Sequence, residues 1–514
     1  MSYILHKIFY INGAAPLPIG ICLIVFFLNL FNGMAMSNLS SYLPQLVKGF
    51  NVSEVNAGKY AGVVSSSLSV SRIGSSIIWG YLCDKFGRKN SLLWSGSGLA
   101  VATLLFGFTI SYIWTVVTRS FQGLFMGLIV ITKSLIADVA DDKNLSTGFS
   151  FIFSANNIGY IIGPSMAGFL VFPAEKYPKV FVKDGFFDIF KVLLPNIIIC
   201  VGLIVALLVA YVVLSRQERI VEIDDESEEA IDGSSPILYE SGFNGDEAKS
   251  DKNFLVAQPI KNHSKIDLKY GTESKCSSSV NNSTKYWRLL KNKNFILSIT
   301  LYGLFSLTAV GYEDLFPVFA ATDLKYNGLS MSTSDIGVLY FVTGLTVVVI
   351  QFSIINKIIT KFGSKKIFSV ATFLFSVLVF LLPTTAKIKN RMFLWVSLWI
   401  TQCLMRSTYS AGILCVNIFI NNSVESEQVG MANGLGLSVA SFGRSIGSVS
   451  FGLAYSWSLS NVKKHFTSES SLGFPFNEYF TFILIAFFSI LVLIVTSLLP
   501  ESINRKKAFN ENLK

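Results

Sequence analysis

The chain has 514 residues, of which 51% are hydrophobic and only 14% charged, with 42 Lys plus Arg against 32 Asp plus Glu. Soluble domains carry about 25% charged residues, and a mean hydropathy of +0.54 excludes water as the main solvent of this chain. The net charge of +10 lies in short clusters beside apolar runs, the pattern of loops flanking membrane spans and not of a nucleic-acid binder.

The N-terminus carries His6 and Lys7 ahead of an apolar run that passes Phe31 without a small-residue cleavage site, so a retained first helix is expected rather than a signal peptide. An apolar core about 30 Å thick needs roughly 20 residues at about 1.5 Å each. On that measure the first half is predicted to hold spans at 17–46, 57–82, 91–112, 114–137, 147–171 and 189–214. The triplet Asn51-Val-Ser53 after the first span is a glycosylation sequon that falls outside in this topology.

Residues 215–292 break the pattern: 14 of the 32 acids fall between Glu218 and Glu273, with the run Glu222 to Glu229 followed by the Ser/Asn-rich stretch Ser277 to Thr284. Such composition cannot bury a core, and a disordered acidic cytosolic linker is expected. The second half repeats the count at 294–322, 334–358, 366–386, 392–420, 430–457 and 478–500. The domains are then a six-helix bundle over 1–214, the linker 215–292, a second bundle over 293–500 and a cytosolic tail over 501–514.

The halves also correspond in detail. Lys85-Phe-Gly-Arg-Lys89 after span 2 matches Lys361-Phe-Gly-Ser-Lys365 after span 8, and Pro44 matches Pro317, so an internal duplication is the economical reading. Lys85, Arg88, Lys89, Lys361, Lys365, Lys366 and Arg505 to Lys507 share one face if both termini are cytosolic, while Lys176, Lys179, Lys183, Lys387, Lys389 and Arg391 fall on the other. Sequence does not distinguish a plasma membrane from a vacuolar or other endomembrane location. The six cysteines show no paired or metal-ligand spacing, so free thiols and no metal site are expected.

Gly80-x-Leu82-x-Asp84-Lys85-x-Gly87-Arg88-Lys89 resembles the signature loop of the major facilitator superfamily. Span 4 carries Arg119-Ser-Phe-Gln122-Gly123 with Gly127, similar to the family's second motif, and span 5 carries Gly159, Gly163, Pro164 and Gly168 in the spacing of its antiporter motif. Phe172-Pro-Ala-Glu-Lys-Tyr-Pro178, Tyr312-Glu-Asp-Leu-Phe-Pro317, and Gly328-Leu-Ser with Asp335-Ile-Gly337 look like the zinc-induced-facilitator-like transporters, relatives of tetracycline exporters. The resemblance implies an all-α membrane protein of 12 helices in two pseudo-symmetric bundles. Plant members carry an acidic motif in the first span; here Phe31-Asn-Gly-Met-Ala-Met36 has no acid, so that carboxylate's role does not carry over.

The signature loop has its own physical logic. Gly80 and Gly87 permit a reversal, Asp84 suits a helix N-terminus, and Arg88 can reach a carboxylate at another span's mouth. Arg88 is expected to pair with Asp138 at the end of span 4, in a latch that the resemblance makes responsible for closing the cytosolic side; topogenic charge alone is the plainer meaning. The second copy has Thr360 and Ser364 in place of Asp84 and Arg88, so only the first is expected to latch.

Arg72, Arg119, Lys133, Arg406 and Arg444 lie within apolar spans, where each costs about 2.5 to 3.5 kcal/mol or more unless it faces a partner or water. The resemblance places spans 1, 4, 7 and 10 on a central cavity, and with them a substrate and proton pathway of Arg119, Gln122, Glu313, Asp314 and Arg406. Arg72 and Arg444 would lie on a gating seam of spans 2, 5, 8 and 11. Lys133 can instead snorkel, and an arginine can be a structural charge capped by carbonyls. Asp314 is the candidate for reversible protonation, since low-dielectric surroundings favour the neutral form of a carboxyl; the alternative is a fixed ion pair with an arginine. His6, His263 and His465 fall outside the predicted spans. The glycines of span 5 fit a hinge or a packing seam.

These readings converge on a monomeric secondary transporter, not an enzyme, that exchanges a small organic solute for protons by alternating access. No cofactor is expected beyond a proton gradient as driving force, and the excess of buried arginine points to an anionic or zwitterionic substrate. The alternatives are a uniporter or symporter of the same fold, and a non-transporting sensor or scaffold; deleting residues 225–280 separates the last, because a transporter keeps its flux.

Overall fold

The computed structural model describes residues 18–140, 144–232, 289–424, 428–466 and 472–504. His6, His263, Cys276, the 505–507 cluster and most of the 215–292 segment lie outside the described residues. Among those described, twelve long helices form and no strand does. The first half holds α1 (Ile19–Ser37), α2 (Ala57–Phe86), α3 (Arg88–Gly107), α4 (Tyr112–Leu124 and Leu128–Val139), α5 (Leu145–Leu170) and α6 (Leu193–Asp232). The second holds α7 (Lys293–Ala321), α8 (Thr333–Ile350, continued by Asn356–Phe362), α9 (Ser364–Leu381), α10 (Arg391–Ser423), α11 (Val429–Phe466) and α12 (Phe480–Ser497).

Three expected boundaries change. Span 17–46 is not one helix: α1 stops at Ser37, a 3-10 turn covers Asn38–Ser41, and a short helix Leu43–Lys48 follows with Pro44 in its first turn. That is where a proline's missing N–H costs nothing. Span 114–137 breaks between the two pieces of α4. The linker does not begin at 215, because α6 runs on to Asp232 and the acidic run Glu222 to Glu229 is helical. Glu, Arg and Gln propagate a helix nearly as well as Leu, and the apolar turns of α6 supply the costly nucleus. α11 likewise runs past its predicted end, so His465 is helical.

The duplication is visible in the backbone. Gly87 (φ 82°) separates α2 from α3, and Gly363 (φ 85°) separates α8 from α9, each holding the left-handed conformation that a side chain resists. Outward faces are apolar: Leu208, Val212 and Phe373 are 60%, 63% and 61% exposed, a surface that belongs against lipid, where helices satisfy their own backbone.

Two apolar clusters belong to single halves, one around Leu28, Leu99 and Leu203, the other around Phe368, Val416 and Phe419. A third joins the halves at the end away from the signature loop, where Tyr42, Leu43, Val47 and Val64 pack with Phe316, Phe319 and Tyr455. Small residues let the backbones approach there. A methyl added at Gly62 in α2 would lie 2.3 Å from the Ser448 carbonyl oxygen in α11, and one at Gly168 in α5 would lie 2.6 Å from Gly337 Cα in α8. The Lys59 amide donates to Ser456 Oγ (2.7 Å), and Ser438 Oγ donates to the Ile73 carbonyl (2.9 Å). On the signature-loop side of that contact, a methyl at Gly74 or Gly434 would meet nothing within 4 Å.

The closed end also carries a polar clamp. Lys48 Nζ pairs with Glu54 Oε2 (2.7 Å) and donates across to the Ala321 carbonyl at the end of α7 (3.0 Å), while Glu54 Oε1 accepts from the Asp323 amide (3.2 Å). Hydrogen bonds to charged groups contribute about 1.5 to 3 kcal/mol, and a tenfold population change needs about 1.4. Lys48→Met should therefore open this face about tenfold more often. With the native cysteines replaced and Ser40→Cys introduced on the cavity wall, an impermeant thiol reagent applied from this face should react correspondingly faster. An unchanged rate would mean that the clamp contributes nothing.

Candidate functional site

α1, α2, α4, α5, α7, α8, α10 and α11 enclose a cavity between the halves with about 710 Å³ of non-atom space, its mouth included. Arg119, Glu313, Asp314, Arg406 and Arg444 all line it, with Tyr160 and Tyr340. Three cations thus face two carboxylates, and among the described residues none of the five makes an ion pair within 4.0 Å.

The chemistry differs at each charge. Asp314 Oδ2 accepts from Ser448 Oγ of α11 (2.5 Å), and the Ser65 hydroxyl of α2 also reaches the carboxylate, so hydroxyls from both halves hold it. Glu313 faces both Arg406 and Arg444 without a direct bond. The Arg406 guanidinium lies 4.5 Å from the Tyr340 ring centroid, and Arg444 Nη2 donates to Tyr409 Oη (2.9 Å). Arg119 is tied most tightly: Nη1 donates to the Ala35 carbonyl (3.1 Å) and Gln122 Oε1 (2.8 Å), and Nη2 to the Met36 carbonyl (2.6 Å). Those carbonyls belong to the last turn of α1, whose C-terminus attracts positive charge.

One expected position is corrected. Gln122 is fully buried behind Arg119, donates to Thr103 Oγ1 (3.2 Å), and does not line the cavity. Arg444, expected on the seam, also lines the cavity. Arg72 Nη1 reaches Met36 Sδ in its own half (3.4 Å), and its guanidinium also faces Arg444, Tyr302 and Tyr409 of the second half. Lys133 Nζ sits 4.7 Å from the Phe153 ring centroid.

At the signature loop Arg88 Nε donates to Asp138 Oδ2 (2.8 Å) and Nη1 to Asp84 Oδ1 and the Cys83 carbonyl (3.2 Å each). All these partners lie in the first half, so this staple does not join the halves. Gly80 lies inside α2, where an added methyl would meet only Val130 at 4.0 Å, so the reversal rests on Gly87 and not, as expected, on both glycines. The second copy is anchored differently: Ser364 Oγ and the Lys365 amide bond Asn504 Oδ1 (2.9 Å each), and Lys365 Nζ pairs with Glu501 (3.4 Å). Its anchor comes from the segment after α12, which the positions of Asp84 and Arg88 did not suggest.

The span 5 glycines are contact points. Methyls at Gly159 and Gly163 would lie 2.1 Å from the Leu30 carbonyl oxygen and 2.9 Å from that of Met34, which seats α5 on α1, while Gly168 seats it on α8 of the other half. Pro164 lies between them on the cavity wall. Also unforeseen was an amide ladder binding α1 to its neighbours. Asn29 donates to Thr132 Oγ1 (3.1 Å), Asn32 to Asn156 Oδ1 (3.1 Å) and Asn38 to Asn196 Oδ1 (2.9 Å). Its signal was in the sequence, as asparagines recurring inside an apolar run.

A sequence profile of the Major Facilitator Superfamily matches residues 25–448. The chain is 28% identical over 438 residues to Protein ZINC INDUCED FACILITATOR-LIKE 1 of Arabidopsis thaliana, covering 84% of this chain and 83% of that protein. It is 23% identical over 462 residues to the Major facilitator superfamily multidrug transporter mfsB of Aspergillus fumigatus, covering 82% and 76%. Among solved structures, a D-xylose-proton symporter superposes with a TM-score of 0.64 at 15% identity over 95% of this chain and 99% of that one, a likeness of fold alone. The charged cavity between two six-helix halves therefore sits in an integral multi-pass membrane transporter, and the chain belongs to the major facilitator superfamily.

Proposed function

We propose that the chain is a secondary active antiporter that exchanges a small organic solute, anionic or zwitterionic, against protons by alternating access. The carrying observation is Asp314: a carboxylate on the central cavity, held by hydroxyls of both halves and by no arginine ion pair, so its charge is free to change. The surplus of Arg119, Arg406 and Arg444 over two carboxylates favours a substrate that brings negative charge. Sealing at the end away from the signature loop fits one of two alternating conformations. On this reading both termini and the signature loop face the cytosol, the Arg88 staple keeps that loop rigid for the opposite closure, and the protein works as a monomer with no cofactor.

Proteoliposomes carrying a pH gradient test the coupling with labelled organic anions. The wild type should accumulate solute only with the gradient. Asp314→Asn should lose gradient-driven accumulation by about tenfold or more, equivalent to about 1.4 kcal/mol of lost coupling, while still exchanging labelled for unlabelled solute. Accumulation that ignores the gradient, or an Asp314→Asn protein that behaves as wild type, would remove proton coupling from the proposal.

A further inference from the structure

Arg72 of α2 and Arg444 of α11 come from opposite halves and face each other beside the bond that Ser438 Oγ makes to the Ile73 carbonyl. Like charges brought together in an apolar interior repel. Among the described residues neither arginine has a carboxylate within 4.0 Å. The acceptors they do have are poor. Arg72 Nη1 donates to the Met36 thioether (3.4 Å) and Nε has no partner, although Arg72 is only 7% exposed. Tyr160 Oη donates to the same sulfur (2.8 Å), and Arg444 Nη2 meets a neutral phenol, Tyr409 Oη (2.9 Å). A thioether is a weak acceptor and a buried cation without an anion is costly, so this arrangement lacks a negative group. Met36, Tyr160 and Arg444 line the central cavity, so a group that takes the place of the sulfur arrives from there. The unbranched methionine side chain is flexible enough to swing aside. With Arg72 counted, four guanidiniums, Arg72, Arg119, Arg406 and Arg444, stand against the two carboxylates Glu313 and Asp314, an excess of two positive charges.

We infer that Arg72 and Arg444 form an anion subsite shared by the two halves, which a carboxylate or phosphate group of the transported ion completes by taking the place of the Met36 sulfur. The inference rests on the transport reading of the central cavity and narrows its substrate to a dianion, since an excess of two positive charges calls for two negative ones. One anionic end bridges Arg72 and Arg444 with the Tyr160 hydroxyl beside it, and the other lies on the cavity toward Arg406. Each arginine offers a planar fork of donors that matches two oxygens at once. Because the site takes one arginine from each half, the ion that fills it also removes a repulsion between them. A monoanion leaves one of the two charges unanswered.

The full-length protein in nanodiscs tests this by ligand-dependent melting at constant pH and ionic strength. Three probes are used: succinate, its near-isostere succinamate, in which one carboxylate becomes a neutral amide, and inorganic phosphate. Succinate should bind about tenfold more tightly than succinamate, the loss expected for one charge-assisted contact. Arg72→Gln should bring the two to within about twofold by weakening succinate and sparing succinamate. Arg444→Gln should also lower the succinate preference, from the other half, and Arg72→Lys, which keeps the charge, should restore part of it. Without ligand, Arg72→Gln should melt no lower than the wild type, because a repulsion is removed; a lower melting temperature would assign Arg72 to structure and overturn the subsite. Equal binding of succinate and succinamate by the wild type, a succinate preference that survives Arg72→Gln, or no stabilisation by any probe would overturn it as well. Phosphate stabilisation that adds to that of succinamate would make this a site for a free oxyanion and overturn the dianion. None of these readouts needs a proton gradient, so loss of coupling with the dianion preference intact would count against antiport alone, and the reverse against the subsite alone.

Discussion

Gly62→Val is expected to trap the carrier with its sealed end forced open and to lose most of its transport. The glycine is a contact between halves: its α-carbon faces the Ser448 carbonyl, and an added methyl would lie 2.3 Å from that oxygen and 3.4 Å from Gly452 Cα. Both obstacles are backbone, so no side chain can swing aside. Overpacking of this kind costs about 1–3 kcal/mol, which corresponds to roughly a tenfold to hundredfold shift away from the conformation closed at this end. Transport needs that conformation in every cycle, so flux should fall by a similar factor. Thiol labelling at Ser40→Cys from the same face should rise in step. Gly62→Ala should move both readouts in the same direction, by less. Because the strain falls between halves rather than within one, the protein should still fold. Wild-type flux from Gly62→Val would show that the α2 and α11 contact is not part of the working cycle.

The parts of this site that were legible in sequence are those governed by the cost of charge in an apolar medium. The cost of buried charge marked Arg119, Arg406 and Asp314 as needing a partner or water, the family resemblance put them on one cavity, and they do line it. The same rule could not say which face of a helix a charge occupies. Gln122, expected on the cavity, turns behind Arg119, and Arg444, expected on the seam, also lines the cavity, differences of rotation that hydropathy does not encode. Hydropathy also located the spans, but not the breaks after Ser37 and Leu124 or the π turn at Gln351–Ile355, which depend on tertiary packing. The acidic end of α6 was misread because composition measures the ability to bury a core, not the ability of a helix already nucleated to continue. The clamp of Lys48 and Glu54 joins polar residues outside the predicted spans to the end of α7, and sequence gives no sign of contacts across 269 positions.

Arg119 makes the sharpest case for separating structure from transport. Its guanidinium spans the Ala35 and Met36 carbonyls and Gln122, so its first duty is to close the end of α1, which stops one residue later at Ser37. Arg119→Leu should leave those acceptors bare in a dry interior at about 1–3 kcal/mol each, and should lower the melting temperature of the substrate-free protein. Arg119→Lys should restore little, because a single ammonium lacks the planar fork that meets two carbonyls at once. A residue serving only to bind an anionic substrate would behave differently. Its loss would leave the substrate-free melting temperature unchanged and raise KM, and lysine would rescue part of the binding. Melting curves of both variants without substrate, set beside their KM and maximal rates, therefore decide between the two roles. Destabilisation common to both variants would assign the conducting chemistry to Arg406, Arg444, Glu313 and Asp314, none of which caps a helix end, and would make Arg119 the fixed wall against which they work.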